Sequence, residues 1–351
     1  MLRRALTLAL IASSLARAGD FQGHARLWVG PGFDSNAKRE FVSTGNATTP
    51  DAFFFGLGQL DASLFLGDFF HAGGTYDVAA RKFITQPSED TIVQAAQLEA
   101  TFQFLKYFAF GVSGRARDRR GAERDYTDLQ GGGVLDFVPS QQVDVRLTVN
   151  AHRFLYYNRL AYSFYGPDAT LNARYRFDRR HSISVFGNFN PRTYGAHALR
   201  GPNPDDPTED PDTGVVRQDA VFGAGASYSY RGPFHFTFSY QYYDQTSNSF
   251  GETVKRHRLS ATGGVRLPGK IMLLGTISWQ PSIFPDGVYL NPDLSVVEDD
   301  ENVSSVTVKL VRPLNQWIDL DLRYAGYLGF YPQQRYLYFR NVVSLGLAIN
   351  F

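Results

Sequence analysis

The chain of 351 residues contains no cysteine. This absence excludes a disulfide framework, a thiolate metal site, a cysteine nucleophile and a lipid-bearing N-terminal cysteine. The chain also lacks a strong charge of either sign, because 35 Lys and Arg stand against 34 Asp and Glu, for a net charge of +1. So balanced a charge gives no reason to expect nucleic acid as a partner.

Long hydrophobic runs are also missing beyond the N-terminus. No stretch there reaches the ~18 apolar residues of a membrane-spanning helix, which excludes a helical membrane protein. Aromatic residues, in contrast, make up 15% of the chain, and there are 33 glycines. This composition is unlike that of a disordered chain, and the many aromatic residues favour β-strands.

Residues 1–18 have the three parts of a secretory signal peptide. Arg3 and Arg4 supply the positive start, residues 5–15 form the apolar middle, and Ala16-Arg17-Ala18 is a small-x-small cleavage site. We expect cleavage after Ala18. The remaining residues 19–351 are then a single exported domain.

Beyond residue 19 the polarity alternates with a period of two, which predicts strands with one polar and one apolar face. Connections between these segments alternate strictly between short and long, and this order is typical of an up-and-down transmembrane barrel. We therefore predict an all-β, antiparallel barrel of about 16 strands, with 14 or 18 as alternatives. An additional hairpin inside one of the long loops, at 30–52, 191–216 or 280–301, would raise the number. The predicted strands are 20–29, 53–66, 70–83, 92–104, 108–117, 126–137, 143–155, 169–177, 182–190, 217–230, 234–244, 253–266, 270–279, 302–311, 317–327 and 337–351.

Aromatic residues gather near the ends of these segments. Phe234 and Trp317 lie beside short turns, whereas Phe154 and Trp279 lie toward long loops. A transmembrane barrel carries two such belts where its wall meets the two lipid–water boundaries. The distribution therefore predicts that these rings face lipid.

The last predicted strand places Val343, Leu345, Leu347, Ile349 and the terminal Phe351 on one face. This pattern resembles the C-terminal signal of Gram-negative outer-membrane β-barrels, a final strand ending in Phe that the barrel-assembly machinery recognises. The resemblance is to the porin-like superfamily, and no motif selects one family within it. It implies location in the cell outer membrane, contact with its lipid and lipopolysaccharide, and the assembly machinery as a partner during biogenesis.

If the apolar parity faces lipid, the other parity lines the lumen, and it carries more bases than acids. An excess of one charge inside a pore favours ions of the opposite sign, here anions. The alternative is that these residues form cross-strand ion pairs, such as Asp144 with Arg146 and Asp319 or Asp321 with Arg323. The predicted lumen-lining residues are Arg115, Arg146, Arg174, Arg258, Lys309, Asp319, Asp321, Arg323 and Arg340.

The third predicted loop, at 118–125, is too short to narrow the lumen. A constriction would therefore come from the longer loops or from bulky inward side chains. The bulky inward side chains are predicted to be Trp28, Phe53, Phe55, Phe186, Met272 and Leu274.

Sixteen strands leave room for an aqueous passage, so we expect a pore for hydrophilic solutes that mildly favours anions. Two other functions stay open. One is a conduit that exports polysaccharide or another polymer with periplasmic partners. The other is a non-conducting barrel that anchors an envelope or motility complex.

No enzyme is expected, because neither His197 nor His257 has a nucleophilic Ser pattern beside it. No cofactor or metal is expected either. The acidic stretches at 205–212 and 298–301 lack calcium-loop spacing.

Overall fold

The computed structural model describes residues 20–40, 48–121, 125–202, 211–283, 285, 303–331 and 336–351. The predicted signal peptide, the acidic stretch 298–301 and most of the stretch 205–212 lie outside these residues. The strands are β1 Asp20–Asp34, β2 Asp51–Leu66, β3 Phe70–Phe83, β4 Thr91–Leu105, β5 Phe108–Arg120, β6 Tyr126–Phe137, β7 Val143–Tyr156, β8 Phe164–Arg176, β9 His181–Leu199, β10 Asp212–Arg231, β11 Phe234–Ser247, β12 Val254–Arg266, β13 Met272–Trp279, β14 Ser282–Ile283, β15 Ser304–Pro313, β16 Ile318–Tyr331 and β17 Tyr336–Asn350.

Helix within the described residues is limited to the 3₁₀ turns Pro87–Glu89, Leu160–Tyr162 and Pro268–Lys270. None of the described helices has the length and apolar character to span a membrane.

Each strand pairs antiparallel with the next along the chain, and β17 pairs with β1, which closes the sheet on itself. Both β13 and β14 pair with β12. They are two parts of one wall strand, interrupted at Gln280 and Pro281. The wall therefore has sixteen positions, and the predicted sixteen-stranded up-and-down barrel is confirmed.

The strands agree with the sequence prediction near the short turns and differ near the long loops. Strands β3 and β6 have the predicted bounds, but β9 runs to Leu199 and β10 starts at Asp212. The described part of the long connection between them thus lengthens one hairpin, and the wall keeps its sixteen positions. Pro191 hides the extension of β9 in the sequence, and Pro167 hides the early start of β8, since proline is unusual inside a sheet.

One face of the wall makes contacts that skip neighbouring strands. Arg146 on β7 bonds Glu99 on β4, and the Lys309 ammonium on β15 lies 5.1 Å from the Trp28 ring on β1. Such contacts need a concave surface, so this parity faces the lumen. The opposite parity exposes Leu98 and Ile277, 67% and 58% accessible. It is the apolar surface that lipid covers.

The aromatic belts are largely on this outer surface, where Trp279 and Trp317 are 58% and 53% exposed. Phe154 is different. Its position on β7 faces inward, and its ring is buried against Tyr126 and Phe164. The prediction that Phe154 faces lipid is wrong, because the alternation along β7 puts even-numbered residues inside.

We divide the lumen into a turn half, nearer the short connections, and a loop half, nearer the long ones. Among the described residues, two buried clusters, both inside the loop half, come closest to a hydrophobic core. One contains Phe53, Phe83, Tyr327 and Val342, and the other is built around Phe154. The loop half of the barrel is therefore packed with side chains.

Candidate functional site

The turn half of the lumen is lined on one side by two rows of hydroxyl groups, which we call the hydroxyl rows. Each row crosses the same six adjacent strands, β9 to β13 and β15, at paired positions. The rows are Ser184, Ser227, Ser239, Ser260, Ser278 and Ser305, and beside them Ser182, Ser229, Thr237, Thr262, Thr276 and Thr307.

Several members of the hydroxyl rows bond across strands. Ser239 and Ser260 lie 2.6 Å apart between their hydroxyl oxygens, and Ser229 and Thr237 lie 2.9 Å apart. Small hydroxyl side chains occupy little of the lumen, and each can both donate and accept a hydrogen bond. This wall is suited to uncharged polar groups and water.

The opposite side of the turn half carries charged groups in pairs. The Arg146 Nε donates to Asp136 at 2.9 Å, and Arg146 also bonds Glu99. The Arg176 guanidinium donates to Asp144 at 3.1 Å. The predicted alternative of cross-strand ion pairs thus applies to part of the lumen, although the expected pair Asp144–Arg146 does not form in the described structure. Arginine reaches beyond its neighbouring strand, so sequence distance does not set its partner.

In the β8–β9 turn, outside the membrane-spanning wall, Asp178 accepts backbone N–H groups from Arg180 and His181 at 2.6 and 2.8 Å. These two bonds hold the pKa of the Asp178 carboxyl below its ordinary value. The turn thereby stays charged and hydrated at one end of the pore.

At the seam between β1 and β17 a second set of charges lies inside the wall. Arg340 donates from Nε to both Asp34 oxygens at 3.0 Å, and both side chains are 0% exposed. Nearer the turns, Lys309 pairs with the buried Asp321 at 2.8 Å. These charges hold strands together and contribute little to the water-filled space.

The Phe154 side of the loop half is a stack of aromatic rings and guanidinium groups. Phe154 and Phe164 stack with centroids 5.4 Å apart, and the Arg192 guanidinium covers Phe164 at 4.5 Å. Arg217 lies 4.0 Å from the Tyr194 ring and pairs with Asp219 at 2.8 Å. Stacked arginine and aromatic side chains form a rigid polar surface.

Glu252, in the loop between β11 and β12, is the second partner of Arg217, at 2.9 Å. Burial raises the pKa of Glu252, and the Arg217 charge opposes this shift. The Gln245 amide bonds both the Asp219 carboxylate at 2.9 Å and the Glu252 backbone at 3.0 Å. Asp219 and Glu252 therefore both have their bonding partners inside the barrel wall, on Arg217 and Gln245.

A cavity of about 390 Å³ opens beside this stack. It is bounded on β11 and β12 by Gln241, Tyr243, Arg256 and Arg258, which are paired positions of the two strands. One step along the same strands toward the turns brings the chain to Ser239 and Ser260 of the hydroxyl rows. The cavity therefore lies directly above those rows. We call it the arginine cavity.

His152 and Asp128, 2.7 Å apart, also line the arginine cavity. Asn190 donates from Nδ2 to the Pro167 carbonyl at 2.9 Å and lies 3.4 Å from the His152 Nδ1. This network assigns the His152 proton to Nε2, facing Asp128. Both ring nitrogens are then engaged within the wall.

On the other side of the loop half, the Phe53 cluster leaves a smaller cavity of about 100 Å³. Trp28 and Phe55 line it, with ring centroids 4.4 Å apart. The Arg81 guanidinium lies 4.6 Å from the Phe53 ring. Trp28, Phe53 and Phe55 lie where bulky inward groups were expected, and they fill the lumen on this side.

All nine residues predicted to line the lumen lie on its inward parity, but their surroundings differ. Arg115 and Arg174 are exposed, Arg146, Arg258, Lys309, Asp319 and Arg323 are half-buried, and Asp321 and Arg340 are buried. Asp319 and Asp321 lie within 4.0 Å of Arg26, whereas no ion pair joins either of them to Arg323 in the described part of the chain. The charge of Arg340 is not presented to the lumen.

Sequence reasoning missed three inward arginines. Arg119 and Arg192 lie beyond the predicted ends of their strands, at 117 and 190, and Arg217 is the first residue of the predicted strand 217–230. Each continues the inward parity of its strand toward the loops, apart from a pairing irregularity near Arg217. The same alternation of polar and apolar residues identifies these arginines when it is extended to and past the predicted strand ends, through residues that resemble a turn. No group of three or more potential metal ligands lies together in the described ranges.

Neither a protein-family model nor a curated protein sequence matches the chain. Among solved structures, a loop-deletion variant of OmpT, an outer membrane protein of Vibrio cholerae, is 10% identical, with 95% of this chain and 100% of that chain covered and a TM-score of 0.51. A bacterial polysaccharide outer membrane secretin is 12% identical over 94% of this chain and 98% of its own, with a TM-score of 0.47. At this identity the similarity to the OmpT variant shows the fold alone.

The closed sixteen-position wall, its apolar outer surface and its polar interior define a transmembrane β-barrel. The fold implied by the resemblance of the last strand is therefore confirmed.

Proposed function

We propose that this barrel is a narrow outer-membrane pore for hydrophilic solutes and that it mildly favours anions. The observation that carries the proposal is the arrangement of the lumen: a turn half lined by hydroxyl rows leads directly to the arginine cavity. Polar lining along the wall replaces water around a solute as it moves. The proposal includes no catalytic role and no cofactor.

The anion preference is supported by the distribution of charge. Several charges of the turn half and of the seam are joined in ion pairs, which cancel much of their field. Arg192, Arg256 and Arg258 line the arginine cavity, and Asp128 is the one acid among its described lining residues. More bases than acids thus border this part of the passage, and an excess of one charge along a pore favours ions of the opposite sign.

Planar-bilayer recordings on refolded protein test the proposal. We expect discrete current steps and, under a KCl gradient, a reversal potential of the sign that chloride permeation gives. Cation preference would overturn the anion part. Protein that is folded, as judged by heat-modifiable migration on gels, but carries no current would overturn the pore and favour the structural barrel. Current that requires a periplasmic partner would favour the export conduit.

We further propose that Val343, Leu345, Leu347, Ile349 and Phe351 serve as the assembly signal. The first three are 41%, 46% and 44% exposed on the lipid-facing surface, and Phe351 is 66% exposed. Removing the terminal ring by Phe351→Ala should lower the amount of assembled barrel in cells without changing the stability of protein refolded in detergent. Unchanged assembly would contradict the signal. Leu337→Ala, on the same strand and 39% exposed, is the matched control.

A further inference from the structure

We propose that a groove on the outer surface of the wall binds one molecule of lipopolysaccharide and that Arg153 holds a phosphate of this lipid. The inference goes beyond the proposed pore, because it concerns the surface that faces the membrane and not the lumen. The groove has a volume of about 870 Å³ and lies across β6 to β9. We call it the outer groove. The lining residues that matter most are Gly131, Ala151, Arg153, Tyr165 and Thr193.

The strand register places these side chains on the lipid-facing surface. Even-numbered residues of β7 face inward, so Ala151 and Arg153 face outward. Arg153 pairs with Tyr165, and Tyr165 pairs in turn with Thr193. Gly131 is the partner of Ala151. Directly paired residues project to the same face of a sheet, so the outer groove opens toward lipid.

The floor of the outer groove is low because it carries little side-chain volume. Gly131 and Ala151 lie side by side there, and Pro167 is the next residue along the same row. Leu129 and Val149, also lining residues, are 40% and 48% exposed. A depression with this apolar lining is suited to an acyl chain.

The charge in the outer groove is the guanidinium of Arg153, which is exposed. Within the part of the chain that the structure describes, no carboxylate pairs with it. A base on the lipid-facing surface lowers stability unless it reaches the polar headgroups. Arg153 lies near the loop end of β7, and the long loops of an outer-membrane barrel are extracellular. The leaflet on that side carries lipopolysaccharide, whose phosphates supply the missing negative charge.

Arg153, Tyr165 and Thr193 form one row across three adjacent strands. Neighbouring strands are ~4.8 Å apart, so the row is about 10 Å long. A guanidinium binds phosphate through two parallel hydrogen bonds, and hydroxyl groups both donate and accept. Lipopolysaccharide carries its phosphate directly on a sugar. With that phosphate on Arg153, the sugar extends toward the two hydroxyls, whereas the glycerol of a phospholipid has no ring to place there.

A second copy of the chain is the other occupant of such a surface, and the distribution of charge disfavours it. A second copy would have to bring a carboxylate to Arg153 from its own outer surface. Asp118 and Asp244 project outward near the loops. However, Asp118 accepts from Arg120 at 2.7 Å, and Asp244 accepts from the Tyr242 hydroxyl at 3.0 Å. Both acids are therefore already bonded within their own barrel.

Native mass spectrometry of the refolded barrel in detergent tests the phosphate contact. The probes are bisphosphorylated lipid A, which is the anchor of lipopolysaccharide, the same lipid without its phosphates, and phosphatidylglycerol. We expect one bisphosphorylated lipid A per barrel, bound at least tenfold more tightly than either other lipid. R153Q should remove this advantage. R312Q is the matched control, because Arg312 is an exposed outward arginine at the opposite, short-turn end of the wall, and it should bind like the unmodified protein.

Gly131→Leu tests the acyl part of the site by filling the floor of the outer groove. A Cβ at this position lies 3.7 Å from the nearest atom, so the larger side chain fits without a clash at its base. We expect lipid A to bind severalfold more weakly. Gly275→Leu, at an outward glycine of β13 where a Cβ lies 3.9 Å from the nearest atom, is the matched control and should have no effect.

Unchanged binding by R153Q, or equal binding of lipid A without phosphates, would overturn the site. Equal binding of phosphatidylglycerol would overturn lipopolysaccharide as the source of the phosphate. A lipid-free dimer or trimer that dissociates in Gly131→Leu would also overturn the proposal and assign the outer groove to a second copy.

If R153Q does not fold, R153K and Tyr165→Phe provide the test. The first keeps the charge without the planar fork, and the second removes only a hydroxyl. Each should weaken binding severalfold, and no loss in either would overturn the site. Because these measurements need no current, a barrel that binds lipid A but does not conduct would overturn the pore and leave the lipid site.

Discussion

The two halves of the lumen are built on the same strands yet differ in how they use the inward positions. In the turn half, serine and threonine leave space, and ionised groups such as Arg176 are partly accessible to water. In the loop half, Phe53, Phe154 and their neighbours bury one another, and Arg340 is fully enclosed. Alternation decides which side chains face inward, but their size decides whether the result is a passage or an interior.

This difference teaches that one barrel can be porous over part of its length and core-like over the rest. Substitutions with the same chemistry should therefore have unequal effects in the two halves. Four comparisons test this expectation, from the largest effect to the smallest.

Arg340→Leu should have the largest effect, a loss of about 3–5 kcal/mol in the free energy of unfolding, because Asp34 is left buried without its partner. Unfolding in urea, followed by fluorescence in detergent, measures the loss. Arg115→Leu, at an exposed inward position, is the control and should be nearly neutral. Equal losses in the two variants would contradict an interior at the seam.

Gly32→Ala should lower the free energy of unfolding by about 1–3 kcal/mol, because the added methyl group overpacks its surroundings. A Cβ at this position would lie 2.3 Å from the Phe53 ring, which is 2% exposed and fixed in its cluster. The same substitution at Gly187 meets no atom within 4 Å and provides the matched control. If the midpoint of urea unfolding does not separate these two variants, the packing around Phe53 is looser than the structure indicates.

Arg146→Gln, in the turn half, should lower stability by at most about 1 kcal/mol, because its side chain is 35% exposed and water screens its ion pairs. Removing this inward positive charge should also shift the reversal potential slightly toward cation permeation. A stability loss as large as that of Arg340→Leu would remove the distinction between the two halves.

Ser239→Ala should have the smallest effect. We expect the free energy of unfolding to fall by less than about 0.5 kcal/mol, since water replaces the hydroxyl that bonds Ser260. Single-channel conductance should also stay unchanged, because the turn half is not the narrow part. A clear fall in conductance would place the resistance of the pore in the turn half and not beside the arginine cavity.

The sequence predicted the barrel, its strand number and the inward parity because these depend on periodicity and on the order of short and long connections. The loop ends were not predictable in this way. Pro167 and Pro191 occupy opposing positions of β8 and β9, where the register skips three pairs, yet both strands continue past them. Asn190 bonds the Pro167 carbonyl and compensates part of the missing ladder. Such compensation comes from tertiary contacts and leaves no local pattern.

The ion-pair partners of the charged residues could not be predicted from the sequence either. Arg146 was expected to meet Asp144 on its own strand, but its length lets it reach Asp136 and Glu99 on β6 and β4. The arginine cavity likewise depends on strands far apart in sequence. Arg258 was identified as inward from parity, but Arg192 was missed and Phe154 was expected on the lipid side, and their assembly follows only from closure of the wall.

The buried pair at the seam has a consequence for how the barrel forms. Asp34 and Arg340 lie on the first and last strands, 306 residues apart, and they meet only when those strands pair. Before closure, each strand is a free edge, and a charge there keeps the edge hydrated and discourages pairing with another chain. After closure, the same two charges satisfy each other out of contact with water. One pair of residues thus protects the unfinished barrel from aggregation and fastens the finished one.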